Sequence, residues 1–179
     1  MTSLRASLGR QAASPGRAQA SSITTRIVKA VAEHARLGDP VRVLGLTGPP
    51  GTGKTTIAAE LARALPEAGI PVAGLVPMDG FHMSNAVLAG RGIADHKGAP
   101  DTFDVGGYVA LLGRVRRADG VVLAPDYRRD LHEPVAASLP VEVDGVVITE
   151  GNYLGLELPG WADVRGLIDL LVFIDTPFE

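Results

Sequence analysis

The chain has 179 residues, a formal net charge of −3 and no cysteine, with 46% hydrophobic but only 4% aromatic residues. That is the size of one domain with a buried core, and 22 glycines with 13 prolines make it loop-rich without reaching the roughly 25–30% of a disordered chain. The missing cysteines exclude disulfides, thiol nucleophiles and Cys-ligated metal centres and fit the reducing cytoplasm, while no apolar run approaches the ~18 residues of a membrane span.

Residues 1–22 read as a disordered basic leader and 23–179 as the folded domain. From Met1 to Ala32 there is no acidic side chain, while Arg5, Arg10, Arg17, Arg26 and Lys29 are basic. The stretch has no amphipathic period before Ile23 and no apolar core of a secretory signal, which suits an extension or an over-long start. The body is correspondingly acidic, without a basic stripe or a stacking set of aromatics, and this argues against a nucleic-acid partner.

Ile23, Ile27, Val28 and Val31 share one helical face, and Gly38-Asp39-Pro40 stops that helix. Val41–Leu46 then reads as a buried strand, and after a Gly-rich turn Ile57, Leu61 and Leu65 repeat every four residues up to Pro66. Val72–Met78 is a second strand. A long polar stretch follows, and then a helix marked by Val105, Tyr108, Leu111, Leu112 and Val115. Val121–Ala124 is a weak strand, Val146–Thr149 and Asp169–Ile174 are stronger ones, and Trp161–Gly166 is a turn or short helix. Strands alternating with helices predict an α/β fold, three layers around a mostly parallel sheet.

Gly48-Pro49-Pro50-Gly51-Thr52-Gly53-Lys54-Thr55 matches the P-loop pattern at every fixed position, between an apolar strand and an amphipathic helix. Its glycines let successive N–H groups curl around phosphate oxygens, and the helix N-terminus, from Lys54, Thr55 and Thr56 onward, adds its dipole. Lys54 is placed to bridge the β and γ phosphates of a nucleotide, and Thr55 to offer a hydroxyl to Mg²⁺. A GTPase would carry an Asn-Lys-x-Asp motif and a transport ATPase a Leu-Ser-Gly-Gly signature; both are absent.

Two strands end in acids. Pro77-Met78-Asp79-Gly80-Phe81-His82 closes the second strand, and Ile148-Thr149-Glu150-Gly151-Asn152-Tyr153 closes the third. At the carboxyl edge of a parallel sheet Asp79 can take a proton from an attacking hydroxyl, and Glu150 suits a magnesium-bound water. Phosphoryl transfer also needs cations, and Arg128 or Arg129 can supply one, although adjacent arginines in a polar loop are ordinarily solvated. His82, Lys97 and Asn152 are further candidates for contact with the acceptor. His34, His96 and His132 show no metal-ligand spacing.

The ordered set of P-loop, Asp79–His82, Lys97-Gly-Ala-Pro-Asp-Thr-Phe-Asp104, Pro125-Asp-Tyr-Arg-Arg129, Glu150–Tyr153 and Asp175-Thr-Pro177 resembles the P-loop kinases of small metabolites related to pantothenate kinase, uridine kinase and phosphoribulokinase. It is most similar to a bacterial nucleoside/nucleotide kinase-like group that includes proteins described as fructose transport system kinases. The resemblance implies ATP as phosphoryl donor, Mg²⁺ as cofactor and a small-molecule acceptor. It implies Asp79 as general base, Glu150 on the Mg²⁺ side, and the stretches Lys97–Asp104 and Tyr127–Arg129 lining the acceptor. Related kinases continue past the position of Glu179 with an arginine-bearing lid helix and a last strand, so the resemblance also implies that these elements are missing. A catalytically incomplete ATP-binding module and a P-loop ATPase are the alternatives. The acceptor's identity and the oligomeric state, a homodimer included, stay open at this stage.

Overall fold

The structure, a computed structural model, describes residues 2–7 and 17–175, with side chains from Ser22 onward. The described residues form seven strands and five α-helices, arranged as one five-stranded parallel sheet with its helices and one separate hairpin. The strands are β1 (Thr2–Ser7), β2 (Val43–Thr47), β3 (Val72–Pro77), β4 (Val122–Arg128), β5 (Glu133–Val141), β6 (Val146–Gly151) and β7 (Leu170–Asp175). The helices are α1 (Arg17–Arg36), α2 (Lys54–Glu67), α3 (Asn85–Arg91), α4 (Val105–Arg117) and α5 (Trp161–Gly166).

The main sheet has the order β1-β7-β2-β6-β3, all parallel. Its central strand β2 is buried at all five positions, as expected of a strand covered on both faces. On one face Leu44, Leu46 and Ile148 meet Ile23, Ile27 and Val31 of α1 and Ile57, Leu61 and Leu65 of α2. On the other, Val43, Val147 and Leu171 meet Tyr108, Leu112 and Val115 of α4 and Trp161 and Val164 of α5. These are the three layers that the alternation of strands and helices predicts.

Sequence and structure differ in four places. Thr2–Ser7 is an edge strand along β7, from Thr2 opposite Leu170 to Ser7 opposite Asp175, and α1 begins at Arg17, within the stretch read as a leader; residues 1 and 8–16 lie outside the described residues. Helix α2 continues one residue beyond Pro66. The weak strand at Val121–Ala124 is longer, Val122–Arg128, and pairs antiparallel with β5, which the hydrophobic pattern does not signal. Finally α3 forms inside the long polar stretch, its N-cap Ser84 accepting from Val87 N at 3.3 Å. Of the Asp175-Thr-Pro177 motif only Asp175 is described, as the last residue of β7. Among the described residues no helix is long and apolar enough to cross a membrane.

Asp169 pins the sheet at its amino edge. Its Oδ2 accepts from the backbone N–H groups of Arg42 and Val43, both at 2.8 Å, and its Oδ1 pairs with Arg116 at 2.5 Å. The start of β2 and the end of α4 are thus tied to the start of β7. Asp169→Ala leaves two partly buried donors without partners, at about 1–3 kcal/mol for each such group. The expected outcome is a loss of about 2–3 kcal/mol in urea unfolding; a change below about 0.5 kcal/mol would refute the role.

Candidate active site

The loop from Gly48 to Gly53 joins the end of β2 to α2. Gly48 has φ of 152°, and a Cβ there would lie 2.1 Å from the carbonyl oxygen of Ile174, so only glycine lets the loop leave β2 against β7. The hydroxyl of Thr52 donates to the Pro49 oxygen at 2.9 Å and braces the curl, while Pro50 and Gly51 are exposed at its tip. Gly53 takes φ of 82° just before α2, which leaves the first helical N–H groups free to face an anion.

Lys54 is buried, 7% exposed, and its ammonium donates to the carbonyls of Gly48 and Pro49 at 2.9 and 2.8 Å. Burial pulls its pKa below the usual lysine value, while the charges of Glu150 and Asp79 oppose that shift. Thr55 is exposed and its hydroxyl donates to Glu150 Oε1 at 3.1 Å; Thr56 is exposed beside it in the first turn. Leu46 lies opposite Glu150, and Pro77 opposite Glu150 on the other side. A short 3-10 turn, Met78–Phe81, follows Pro77 and carries Asp79. Burial raises the Glu150 pKa above the ordinary carboxylate value, and the neighbouring Asp79 charge raises it further.

Gly80 fixes Asp79 against the hairpin, because a Cβ there would sit 2.3 Å from the oxygen of Pro125 in β4. The result is a cleft of about 250 Å³ lined by Thr55, Asp79, Asp126, Tyr127, Arg129 and Glu150 over an apolar floor that includes Ala58, Leu75, Leu139 and Ile148. His82 closes the neighbouring wall. Its Nδ1 donates to the Asp79 carbonyl at 2.8 Å, and its ring centroid lies 4.0 Å from Phe103 and 4.9 Å from Tyr127.

The structure therefore brings Lys54, Thr55, Asp79, Tyr127, Arg129 and Glu150 to one edge of the sheet. It separates the two arginines: Arg129 lines the cleft, whereas Arg128 is exposed and bound to Asp130 at 2.9 and 2.8 Å. Lys97 donates to Asn85 Oδ1 at 2.6 Å and to the His132 oxygen at 2.7 Å, and lies 5.3 Å over the Tyr127 ring. Asp104 caps α4, accepting from Gly107 N at 2.9 Å. Asn152 is half-buried, its backbone oxygen accepting from Thr47 at 3.2 Å. Asp126 was not singled out from sequence; its signal was its place inside the Pro125–Arg129 motif.

The donor set at the loop suits Mg²⁺, a hard cation that takes one or two protein oxygens and completes its shell with water and phosphate. Thr55 Oγ1 and Glu150 Oε1, 3.1 Å apart, are two such oxygens where a triphosphate on the loop would present its own.

A parallel sheet in the order β7-β2-β6-β3, with a glycine-rich loop and lysine at the end of β2 and two acids on the neighbouring strand ends, defines a P-loop nucleotide-binding protein. The sequence profile of a family described as NTPase matches residues 43–98. An uncharacterised Escherichia coli protein, YggC, is 38% identical over 140 residues, 76% of this chain and 57% of its own length. A Schizosaccharomyces pombe protein named as a candidate uridine kinase is 34% identical over 142 residues, 74% of this chain and 59% of its own. The crystal structure of a candidate fructose transport system kinase from Silicibacter sp. TM1040 superposes with a TM-score of 0.78 at 36% identity, covering 86% of this chain and 75% of that one. The chain belongs to this family of P-loop kinases, whose named members among its relatives include uridine and pantothenate kinases. It spans a little under three fifths of the length of the two curated relatives above, 57% and 59%.

The raised pKa of Glu150 has a sign. Between the ordinary value of 4.5 and the raised one, the folded state holds more protons than the unfolded, so stability falls as pH rises through that window. Glu150→Gln is therefore expected to melt at a higher temperature than the wild type at pH 8 without nucleotide, with the difference gone below pH 4.5, and to lose most of the stabilisation given by Mg-ATP. A variant that melts lower at pH 8 would contradict this.

Proposed function

We propose that the protein is an ATP- and Mg²⁺-dependent kinase that transfers the γ-phosphate to a hydroxyl group of a small metabolite in the cytoplasm. The observation that carries this reading is the placement of Asp79 and Glu150 on neighbouring strand ends in one cleft with Thr55, at the head of the P-loop. Nucleotide binding alone uses the loop and one acid. A second carboxylate facing a cleft with an apolar floor is what a hydroxyl acceptor requires.

In this reading the backbone N–H groups from Gly51 to Thr56 and the Lys54 ammonium hold the β and γ phosphates, Lys54 exchanging its loop carbonyls for phosphate oxygens. Mg²⁺, when bound by Thr55 and Glu150, neutralises charge on the transferring group. Asp79 accepts the proton of the acceptor hydroxyl as its oxygen forms a bond to the γ-phosphorus and the bond from that phosphorus to the β-bridging oxygen breaks, releasing ADP. Arg129 faces the same cleft and offsets charge on the equatorial oxygens. Arg128, held by Asp130, is outside this set. His82 and Tyr127 wall the acceptor side.

The test is ADP release with Mg-ATP, with and without pools of nucleosides, sugars and vitamin precursors, in wild type and variants. Asp79→Asn is expected to bind ATP with little change and to lose at least about 10³-fold in kcat, which exceeds the lower range for loss of a general base. Lys54→Ala is expected to lose ATP binding by at least tenfold. ADP release that no acceptor stimulates, or unchanged turnover by Asp79→Asn, would overturn the assignment.

A further inference from the structure

We infer that the acceptor is uncharged, and that Asp126 is the side chain that excludes anionic acceptors from the cleft. The inference rests on the kinase reading above and narrows its substrate class. Among the described residues, three acids, Asp79, Asp126 and Glu150, line the cleft with one arginine, Arg129. The remaining cations nearby are engaged. Lys54 bonds to the phosphate loop, where its charge acts on Glu150 and Asp79 and is taken up by the triphosphate in this reading; Arg128 is paired with Asp130 and reaches Asp126 only at longer range; and Lys97 is tied to Asn85 and the His132 backbone beside the Tyr127 ring.

A phosphate or carboxylate on the acceptor would enter this field and then lie beside the triphosphate. The metal does not reverse the sign, because a fully ionised ATP with one Mg²⁺ still carries about two negative charges. Desolvating an anion there without a cationic partner is unfavourable, and a site rejects most strongly the group it leaves unpaired. Other features fit an uncharged, compact acceptor. The floor of Ala58, Leu75, Leu139 and Ile148 suits a carbon skeleton, and about 250 Å³ is below the roughly 300–1,000 Å³ of ordinary ligand clefts.

Asp126 is the carboxylate with no task in the transfer itself. Asp79 takes the proton and Glu150 serves the metal side, whereas Asp126 Oδ1 accepts from the N–H of Tyr127 at 2.9 Å and its charge lies within reach of the Arg128 guanidinium. An asparagine keeps that oxygen and removes the charge, so Asp126→Asn separates charge exclusion from folding.

The experiment uses acceptor pairs that differ in one charged group: uridine and its 5′-monophosphate, ribose and ribose 5-phosphate, pantothenol and pantothenate. In ADP release with Mg-ATP, the neutral member of a pair that turns over is expected to exceed its anionic partner at least tenfold in kcat/KM. Asp126→Asn is expected to narrow that ratio several-fold, chiefly by lowering KM for the anionic member and with a smaller effect on the neutral one. A preferred anionic member, or a ratio that Asp126→Asn does not move, overturns the inference. If no compound stimulates ADP release the kinase reading fails separately, and the same pairs are then compared by thermal shift in the presence of a non-hydrolysable ATP analogue. Stabilisation by neutral members alone supports the charge selection. Stabilisation by anionic members to an equal or greater degree, or by neither, overturns it.

Discussion

Three parallel strands end in register, and the site depends on that constraint. Leu46 of β2 lies beside Glu150 of β6, and Glu150 beside Pro77 of β3. Whatever follows those positions is delivered to one edge: the P-loop after β2, Asn152 and Tyr153 after β6, and Asp79 after β3. The register is held by side chains at both ends of the strands. Asp169 binds the first residues of β2, and buried Tyr108 and Thr149 share a short hydrogen bond while Thr149 donates to the Val76 oxygen at 2.5 Å. That pair stitches β6 to β3 and to α4 directly beneath the two acids, and burial pushes the Tyr108 phenol well above its usual pKa, keeping it a neutral hydrogen-bonding group.

The charges at this edge are held there at some cost to folding. Lys54 and Glu150 are both desolvated, each with its pKa moved toward the neutral form, and each partly restored by the other. Such a set is under tension, because desolvation costs more than the attraction between the two charges returns. The loop meets part of that tension itself, since Lys54 bonds to Gly48 and Pro49. The fold thus holds the loop, Thr55 and the two acids in fixed positions, the kind of preorganisation on which electrostatic catalysis rests.

The parts legible from sequence were those with a strong local period or a fixed motif. The P-loop between β2 and α2, the apolar face of α4 and the acids at the ends of β3 and β6 were each readable, because burial on a sheet face and phosphate binding restrict residue types position by position. The second hairpin strand was not. Glu133–Val141 reads Glu-Pro-Val-Ala-Ala-Ser-Leu-Pro-Val, with two prolines and an exposed stretch at Ala136–Ser138, so it lacks the alternation of a strand with one buried face. Its pairing comes from β4, and its hold on the sheet from the Glu142 N–H bond to the Ala73 oxygen at 2.8 Å. Arg128 and Arg129 were likewise indistinguishable until the hairpin gave one to Asp130 and the other to the cleft.

The hairpin also builds one wall of the cleft. Asn85 at the start of α3 donates through its backbone N–H to Glu133 Oε1 at 2.9 Å, and Lys97 joins Asn85 to the His132 carbonyl. These bonds clamp the hairpin turn to α3 and to the segment after it, across separations of 48 and 35 residues. The aromatic stack of Phe103, His82 and Tyr127 lies behind that clamp, and His82 is in turn bonded to the backbone of Asp79. Lys97 is therefore better understood as the strut that sets the distance from Tyr127 to Asp79 than as a free cation. Because it acts through the wall, its charge is already answered by Asn85 and the His132 carbonyl, whereas the charges that reach the acids of the cleft come from Arg129 in its lining and from Lys54 on the loop.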